Sequence, residues 1–199
     1  MSEVSPKAAF DALFVADRIN RSTGPVSLDE IQVFIYLACL LALYDGKPVS
    51  KWGYGFLATP ASSPFSVDLF NAIESLKAAR LFSPHDEKVV LSLRGQDELA
   101  MWCELEWFAD RVPYLEGATG ASAAMPVSSV KAGVVLEPDI SRAVALDVPK
   151  ELLEDPEFSE VYEQFKVLRT SLGDSVPDHM VPAVVWLSFL LEQADAARH

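Results

Sequence analysis

The longest apolar stretch of the chain, residues 33–44, runs for twelve residues without a charged side chain. Ser27 and Glu30 precede it at the spacing of a capping box, in which each side chain accepts a hydrogen bond from the other residue's backbone amide. Gly46 follows, and a glycine at this place is typical of a helix end. The pattern predicts a helix over residues 27–45 that is apolar nearly all round and therefore buried among other helices.

Other segments show helical periodicity behind a capping residue. Ser5 precedes Pro6 at the start of the first helix, and Ser66 precedes an apolar stripe that includes Phe70. The last helix is expected to start near residue 177 or 182, to reach residue 197, and to bury Val185, Trp186, Phe189 and Leu190.

One strand is clear from alternating apolar and polar positions, because Val89, Leu91 and Leu93 share one face of residues 88–93. A polar turn over residues 83–87 precedes this strand. Helices, a short strand, a polar turn and a strand then follow one another in the order of a winged helix-turn-helix. The sequence therefore predicts a mainly α fold with a small β-wing, in which a winged-helix-like core carries additional C-terminal helices.

Residues 113–126 are mostly small and uncharged and contain the run GATGASAA. Such a composition is typical of a mobile loop or linker. The chain is therefore predicted to have three parts. These are a helical, winged-helix-like core over residues 1–112, a flexible loop or linker over residues 113–126, and an acidic helical region over residues 127–199 that packs on the core, as part of it or as a separate domain.

The formal net charge of −13 is concentrated in the second half of the chain. Residues 1–100 carry 9 basic and 12 acidic side chains, whereas residues 101–199 carry 7 basic and 17 acidic ones. Binding to nucleic acid needs clustered lysine and arginine to displace counterions from phosphate, and the sequence has no such cluster. The charge serves either solubility or attraction to a basic partner.

The remaining composition favours a cytoplasmic protein. No hydrophobic run reaches the roughly 18 to 20 residues that span a bilayer, and residues 1–7 lack the basic and apolar regions of a secretory signal. Cys39 and Cys103 stand far apart in apolar helical contexts, so they are expected to be buried free thiols.

Residues that could carry catalysis are sparse. None of His85, His179 and His199 pairs with another histidine at metal-ligand spacing, and neither cysteine has a C-x-x-C partner. The sequence contains no G-x-S-x-G elbow, P-loop or G-x-G-x-x-G cradle. We therefore expect no enzyme activity, no metal and no cofactor. The alternative is an uncharacterised hydrolase, which would need His85 or His179 in a deep polar pocket.

An aromatic segment over residues 52–65 presents large rings among glycines and prolines, outside a regular helical pattern. Rings presented in this way anchor protein interfaces, where they contribute much of the binding energy. The alternative is that all four rings pack inward and cover the central helix. The candidate partner-binding residues are Trp52, Tyr54, Phe56 and Phe65.

Several runs of the sequence resemble known families: YLACLL at residues 36–41, DGKP at 45–48, SPFSVDLF at 63–70 and LF at 81–82. They are similar to the Panacea-type antitoxin domain. The same layout resembles the winged-helix-like middle components of bacterial three-component defence systems built around an SMC-like or ABC ATPase, and more loosely the acidic winged-helix accessory subunits of SMC complexes. The resemblance covers about residues 27–100 and implies a protein-binding subunit without catalysis.

The residues and the resemblance lead to two functional hypotheses. The first is a non-catalytic accessory subunit of a bacterial multi-protein system, in anti-phage defence, that docks on an SMC-like or ABC ATPase or on an effector subunit. The second is an antitoxin or inhibitor that masks a basic or nucleic-acid-binding partner. We expect a protein partner, no direct binding of nucleic acid by the chain alone and no membrane contact. The oligomeric state is left open.

Overall fold

The computed structural model describes residues 4–59, 63–153, 160–173, 176 and 178–198. Within these residues the protein is mainly helical, as the sequence predicts. The helices are α1 (Pro6–Ser22), α2 (Leu28–Tyr44), α3 (Val67–Ala78), α4 (Leu93–Cys103), α5 (Glu106–Ala109), α6 (Val112–Ala124), α7 (Val127–Val135), α8 (Pro138–Leu146), α9 (Glu160–Leu172) and α10 (Met180–Ala196). The strands are β1 (Val26–Ser27), β2 (Phe56–Ala58), β3 (Pro64–Phe65), β4 (Phe82–His85), β5 (Lys88–Leu91) and β6 (Lys150–Leu152).

Helix α2 lies at the centre of the protein, and every side chain from Ile31 to Tyr44 is buried. The predicted capping box is present: the Glu30 amide donates to the Ser27 hydroxyl at 3.1 Å, and the Ser27 amide donates to the Glu30 carboxylate at 2.7 Å. Helices α1, α6, α7, α9 and α10 all pack against α2. The prediction of a central helix surrounded by other helices is therefore confirmed.

Strands β1, β5 and β4 form an antiparallel sheet in that order, close to α1. Val26 lies opposite Val89 between β1 and β5, and Phe82 lies opposite Leu91 between β4 and β5. The side chain of Asn20 in α1 accepts from the Leu91 amide at 2.8 Å and donates to the Val89 carbonyl at 3.3 Å. The sheet is thus tied directly to the first helix.

Strands β3, β2 and β6 form a second antiparallel sheet that joins distant parts of the chain. Phe56 of β2 lies opposite Leu152 of β6, and Leu57 lies opposite Glu151. Because β6 comes from residues predicted to form a C-terminal region, backbone pairing links that region to the N-terminal half.

Residues 113–126 do not form the predicted loop or linker. They form most of helix α6, whose buried side chains include Tyr114, Leu115 and Ala118. Small residues allow this helix to approach its neighbours closely, since a Cβ atom on Gly117 would lie 2.8 Å from the backbone carbonyl carbon of His179. The prediction of a flexible segment was wrong because glycine and alanine here serve close helix packing rather than mobility.

Several side chains predicted to face inward are exposed. Leu93 does not belong to the wing strand but opens helix α4, where it is 80% exposed. In α10, Val185 is 40% and Phe189 43% exposed, whereas Trp186 and Leu190 are buried as predicted. Helix α10 is apolar on more than one face, and the described residues cover only one of them; residue 177 lies outside the described residues.

No helix in the described part of the chain combines the length and the apolar character that crossing a bilayer requires.

Candidate protein-binding site

Three of the four rings predicted to bind a partner are buried. Trp52, Tyr54 and Phe56 face the interior, and only Phe65 keeps partial exposure, with its ring centroid 6.1 Å from that of exposed Phe70. The prediction of an exposed aromatic surface was therefore wrong for three residues, which pack inward as the alternative described. Residues 60–62 of the segment lie outside the described residues.

A buried ion pair explains why the aromatic segment turns inward. The guanidinium of Arg111 donates to both carboxylate oxygens of Asp11 in α1, and both side chains are buried. Arg111 also donates to the Trp52 carbonyl at 2.6 Å and lies 4.0 Å from the centroid of that ring, while the Tyr54 hydroxyl donates to Asp11. The segment thus covers a charge pair that, once removed from water, is stabilised by these hydrogen bonds and aromatic contacts.

An exposed apolar patch lies instead where α4 ends and α5 begins. We call Met101, Leu105 and Trp107 the α4–α5 patch; they are 57%, 48% and 60% exposed. Helix α5 is fixed by Phe108, which is buried with its ring stacked on Phe10 at a centroid distance of 4.3 Å. Because Phe108 faces the core, its neighbour Trp107 faces solvent. Several large apolar side chains exposed within seven residues, 101–107, are typical of an interaction site.

The segment that carries the α4–α5 patch is acidic in sequence. Residues 97–110 contain no lysine or arginine. Cys103, predicted to be a buried thiol, is exposed within this stretch, whereas Cys39 is buried as expected. A protein surface that fits here has an apolar pocket with basic residues around it. The carboxylates of the stretch are Asp97, Glu98, Glu104, Glu106 and Asp110.

The sequence pattern does not reveal this patch directly, because it predicts one continuous helix that contains Leu99, Leu105 and Trp107. The structure shows that α4 ends at Cys103 and that Leu105 has no helical conformation. One signal was present, since two positions two residues apart differ by about 200° around a helix. Leu105 and Trp107 therefore could not both have faced the core from a single helix.

The structure describes two of the three histidines, His85 and His179, and His199 lies outside the described residues. The residues that line the cavity beside His179 include no hydroxyl or thiol side chain. His85 is exposed in β4. His179 Nε2 lies 3.0 Å from Asp45 Oδ2, which also accepts from the Tyr114 hydroxyl at 2.8 Å. This cluster joins the end of α2 to α6 and to the start of α10. The cavity beside it, about 360 Å³, is lined by Pro113, Glu116, Gly120, Asp178, His179 and Met180.

Among the described residues, no group of three or more histidine, cysteine or carboxylate side chains is placed to hold a metal ion. No family model, curated protein or solved structure matches this chain.

Proposed function

We propose that the protein is a non-catalytic protein-binding subunit that docks on its partner through the α4–α5 patch. The observation that carries this proposal is the exposure of Trp107, Leu105 and Met101 where α4 meets α5, a helix fixed by a buried aromatic stack. Tryptophan is among the residues most enriched at the energetic centre of protein interfaces. The acidic rim supplies attraction to a basic surface and rejects acidic competitors.

We further propose that residues 6–91 form a winged helix adapted to protein rather than DNA. The order α1, β1, α2, α3, β4, β5 and the antiparallel sheet β1-β5-β4 support this assignment. In DNA-binding relatives of this architecture the helix in the position of α3 enters the major groove. Here α3 carries Asp68 and Glu74, and its Lys77 pairs with Glu74 at 2.8 Å. Such a surface repels phosphate.

The resemblance over residues 27–100 supports placing the subunit in a bacterial multi-protein system, with anti-phage defence as its setting and an SMC-like or ABC ATPase or an effector as its partner. An antitoxin or inhibitor is the second candidate, favoured by the five carboxylates and the absence of lysine and arginine at residues 97–110. The two candidate functions differ in how the affinity for the partner depends on salt. A masking contact made mainly by charge weakens steeply with salt, whereas docking centred on Trp107 does so only slightly.

The test is affinity purification of the tagged protein from its source cells, followed by calorimetry with the captured protein. Trp107→Ala should weaken that affinity about thirtyfold, which corresponds to about 2 kcal/mol at an interface hot spot. Leu93→Ala is the matched control, since Leu93 is also exposed on α4 but lies outside the patch. Capture of no protein, or equal affinities for the Trp107→Ala variant and the unchanged chain, would contradict the proposal.

A further inference from the structure

A second apolar surface lies between α9 and α10, which we call the α9–α10 groove. It has a volume of about 460 Å³, and its lining includes Val167, Val185, Trp186 and Phe189. The floor is fixed: the Trp186 indole donates to the Gln164 side chain at 2.8 Å, and its ring lies 5.1 Å from that of buried Phe165. The groove is therefore built by the packing of the two helices.

The exposed side of α10 continues this surface beyond the groove. Val181, Val185 and Phe189 follow one another at intervals of four residues and are all exposed. This spacing places them on one face of the helix over about 12 Å. The opposite face, with Ala183 and Leu187, is buried in the fold. Helix α10 thus has a second apolar stripe that no other described residue covers.

The length of the stripe indicates the kind of occupant. A small molecule enclosed by the groove would not reach Val181, which does not line it. A helix laid along α10 contacts all three stripe residues through its own apolar side chains at positions i, i+3 or i+4 and i+7. Val167 of α9, 61% exposed, provides the other wall of the groove for such a helix.

The charges beside the groove indicate the charge of the occupant and the end of the groove at which that charge lies. Glu163 lines the groove, and Glu192 follows Phe189 by three residues, so both carboxylates lie toward one end. Lys166 approaches Glu163 at 3.5 Å, but both side chains are more than two-thirds exposed, so this pair neutralises little. The end near Val181 and Ser171 offers no charged lining residue. A basic residue at one end of the incoming helix is therefore complementary.

The same charges disfavour other occupants. A second copy would bring a net charge of −13 against an equal one. The cytoplasmic face of a membrane is anionic and repels an acidic rim.

We propose that the α9–α10 groove binds an amphipathic helix of a protein partner, with an apolar stripe along α10 and a lysine or arginine beside Glu163 and Glu192. This contact is separate from the α4–α5 patch and does not depend on it. The protein would then hold two separate partner surfaces, as an assembling subunit requires.

The probe is a synthetic helical peptide of about five turns, with leucines along one stripe and lysines flanking it at one end, measured by fluorescence anisotropy with the full chain. A twin peptide carries glutamates in place of the lysines. The lysine peptide should bind at least tenfold more tightly than its twin. Val185→Glu should weaken binding of the lysine peptide at least tenfold, whereas Leu93→Glu, at another exposed position, should leave it unchanged.

The Trp107→Ala variant should bind the lysine peptide as well as the unchanged protein does, which separates this proposal from the one for the α4–α5 patch. Three results would overturn it: equal binding of both peptides, equal binding by the Val185→Glu variant with its fold intact by circular dichroism, or a dimer that Val185→Glu converts to monomer. Sedimentation of the protein with vesicles of anionic lipid, lost in Val185→Glu, would assign the groove to membrane instead.

Discussion

At the scale of single residues, Glu137 is the buried acidic group whose ionisation the fold opposes. Its Oε2 atom accepts from the Ile140 amide at 2.8 Å and caps α8, while its Oε1 atom has no hydrogen-bond partner among the described residues. Burial raises the pKa of Glu137 to about 7, even though backbone hydrogen bonds act in the other direction. The charged and neutral forms of this carboxyl are therefore both populated near neutral pH.

This shift predicts a loss of stability as the pH rises. Between about pH 4.5, the ordinary pKa of the group, and about pH 7, the folded protein holds a proton that the unfolded chain releases. The free energy of unfolding should therefore fall across this window, by on the order of 3 kcal/mol above pH 7. Glu137→Gln keeps an acceptor oxygen and should flatten the dependence in urea unfolding at pH 5, 6, 7 and 8. An unchanged slope would show that Glu137 is not its source.

Which residue features the sequence reveals depends on how far apart the interacting groups are. The helix caps at Ser5, Ser27 and Ser66 were predicted correctly because each involves residues three positions away. The burial of Trp52 depends on Arg111, which lies 59 residues further along the chain. The local sequence pattern does not indicate a contact between residues so far apart, so the aromatic segment was predicted to be an exposed partner-binding surface.

At the scale of elements, α6 shows glycine used for contact rather than flexibility. It packs against α1, α2 and α10, and its buried residues include the small Gly117, Ala118 and Ala121. Gly117 meets the backbone of His179, whereas Gly120 has only ordinary distances to the Met180 side chain, 3.4 Å from its Cβ. The two glycines of one helix therefore differ in what a methyl group would meet.

We expect Gly117→Ala to destabilise the protein by about 1 to 3 kcal/mol, because the added methyl group forces α10 away from α6. Gly120→Ala is the matched change: it adds the same methyl group within reach of a flexible side chain and raises helix propensity, so stability should hold or rise by up to about 1 kcal/mol. Thermal unfolding of the two variants checks this. Equal effects would mean that α6 and α10 do not pack this closely.

Elements were predictable where periodicity alone defines them and not where packing chooses between faces. The bounds of α2 follow from its cap and its apolar run. Helix α10 is equally apolar, but which of its faces would be covered depended on α6 and α7, whose positions the sequence did not give. Val185 and Phe189 were assigned to the core for that reason, although they form the wall of a groove.

At the scale of the whole molecule, the excess of acidic side chains should prevent the protein from binding nucleic acid. The proposed winged-helix architecture is one that often binds DNA, but its α3 surface pairs its lysine internally. We expect no shift of a short DNA duplex at physiological salt, that is, a dissociation constant weaker than about 10⁻⁴ M. Electrophoretic mobility of the duplex, at increasing protein concentration and several salt concentrations, measures this dissociation constant. A saturable shift with the isolated protein would contradict the reading of α3 as a protein-facing helix.

The predicted mainly α fold class is confirmed, but the predicted linker over residues 113–126 was wrong. Strand pairing between β2 and β6 brings residues about a hundred positions apart into register. Such pairing costs loop-closure entropy and leaves no local signal in the chain.

The placement of α2 has a consequence for biosynthesis. Ribosomes add about 5–20 residues per second, and more than a hundred residues separate the end of α2 from α9, one of the helices that cover it. For on the order of ten seconds, the nascent chain therefore contains the apolar helix α2 without one of the helices that bury it in the folded protein. During that interval chaperones and other unfinished chains compete for the surface that later becomes the centre of the protein.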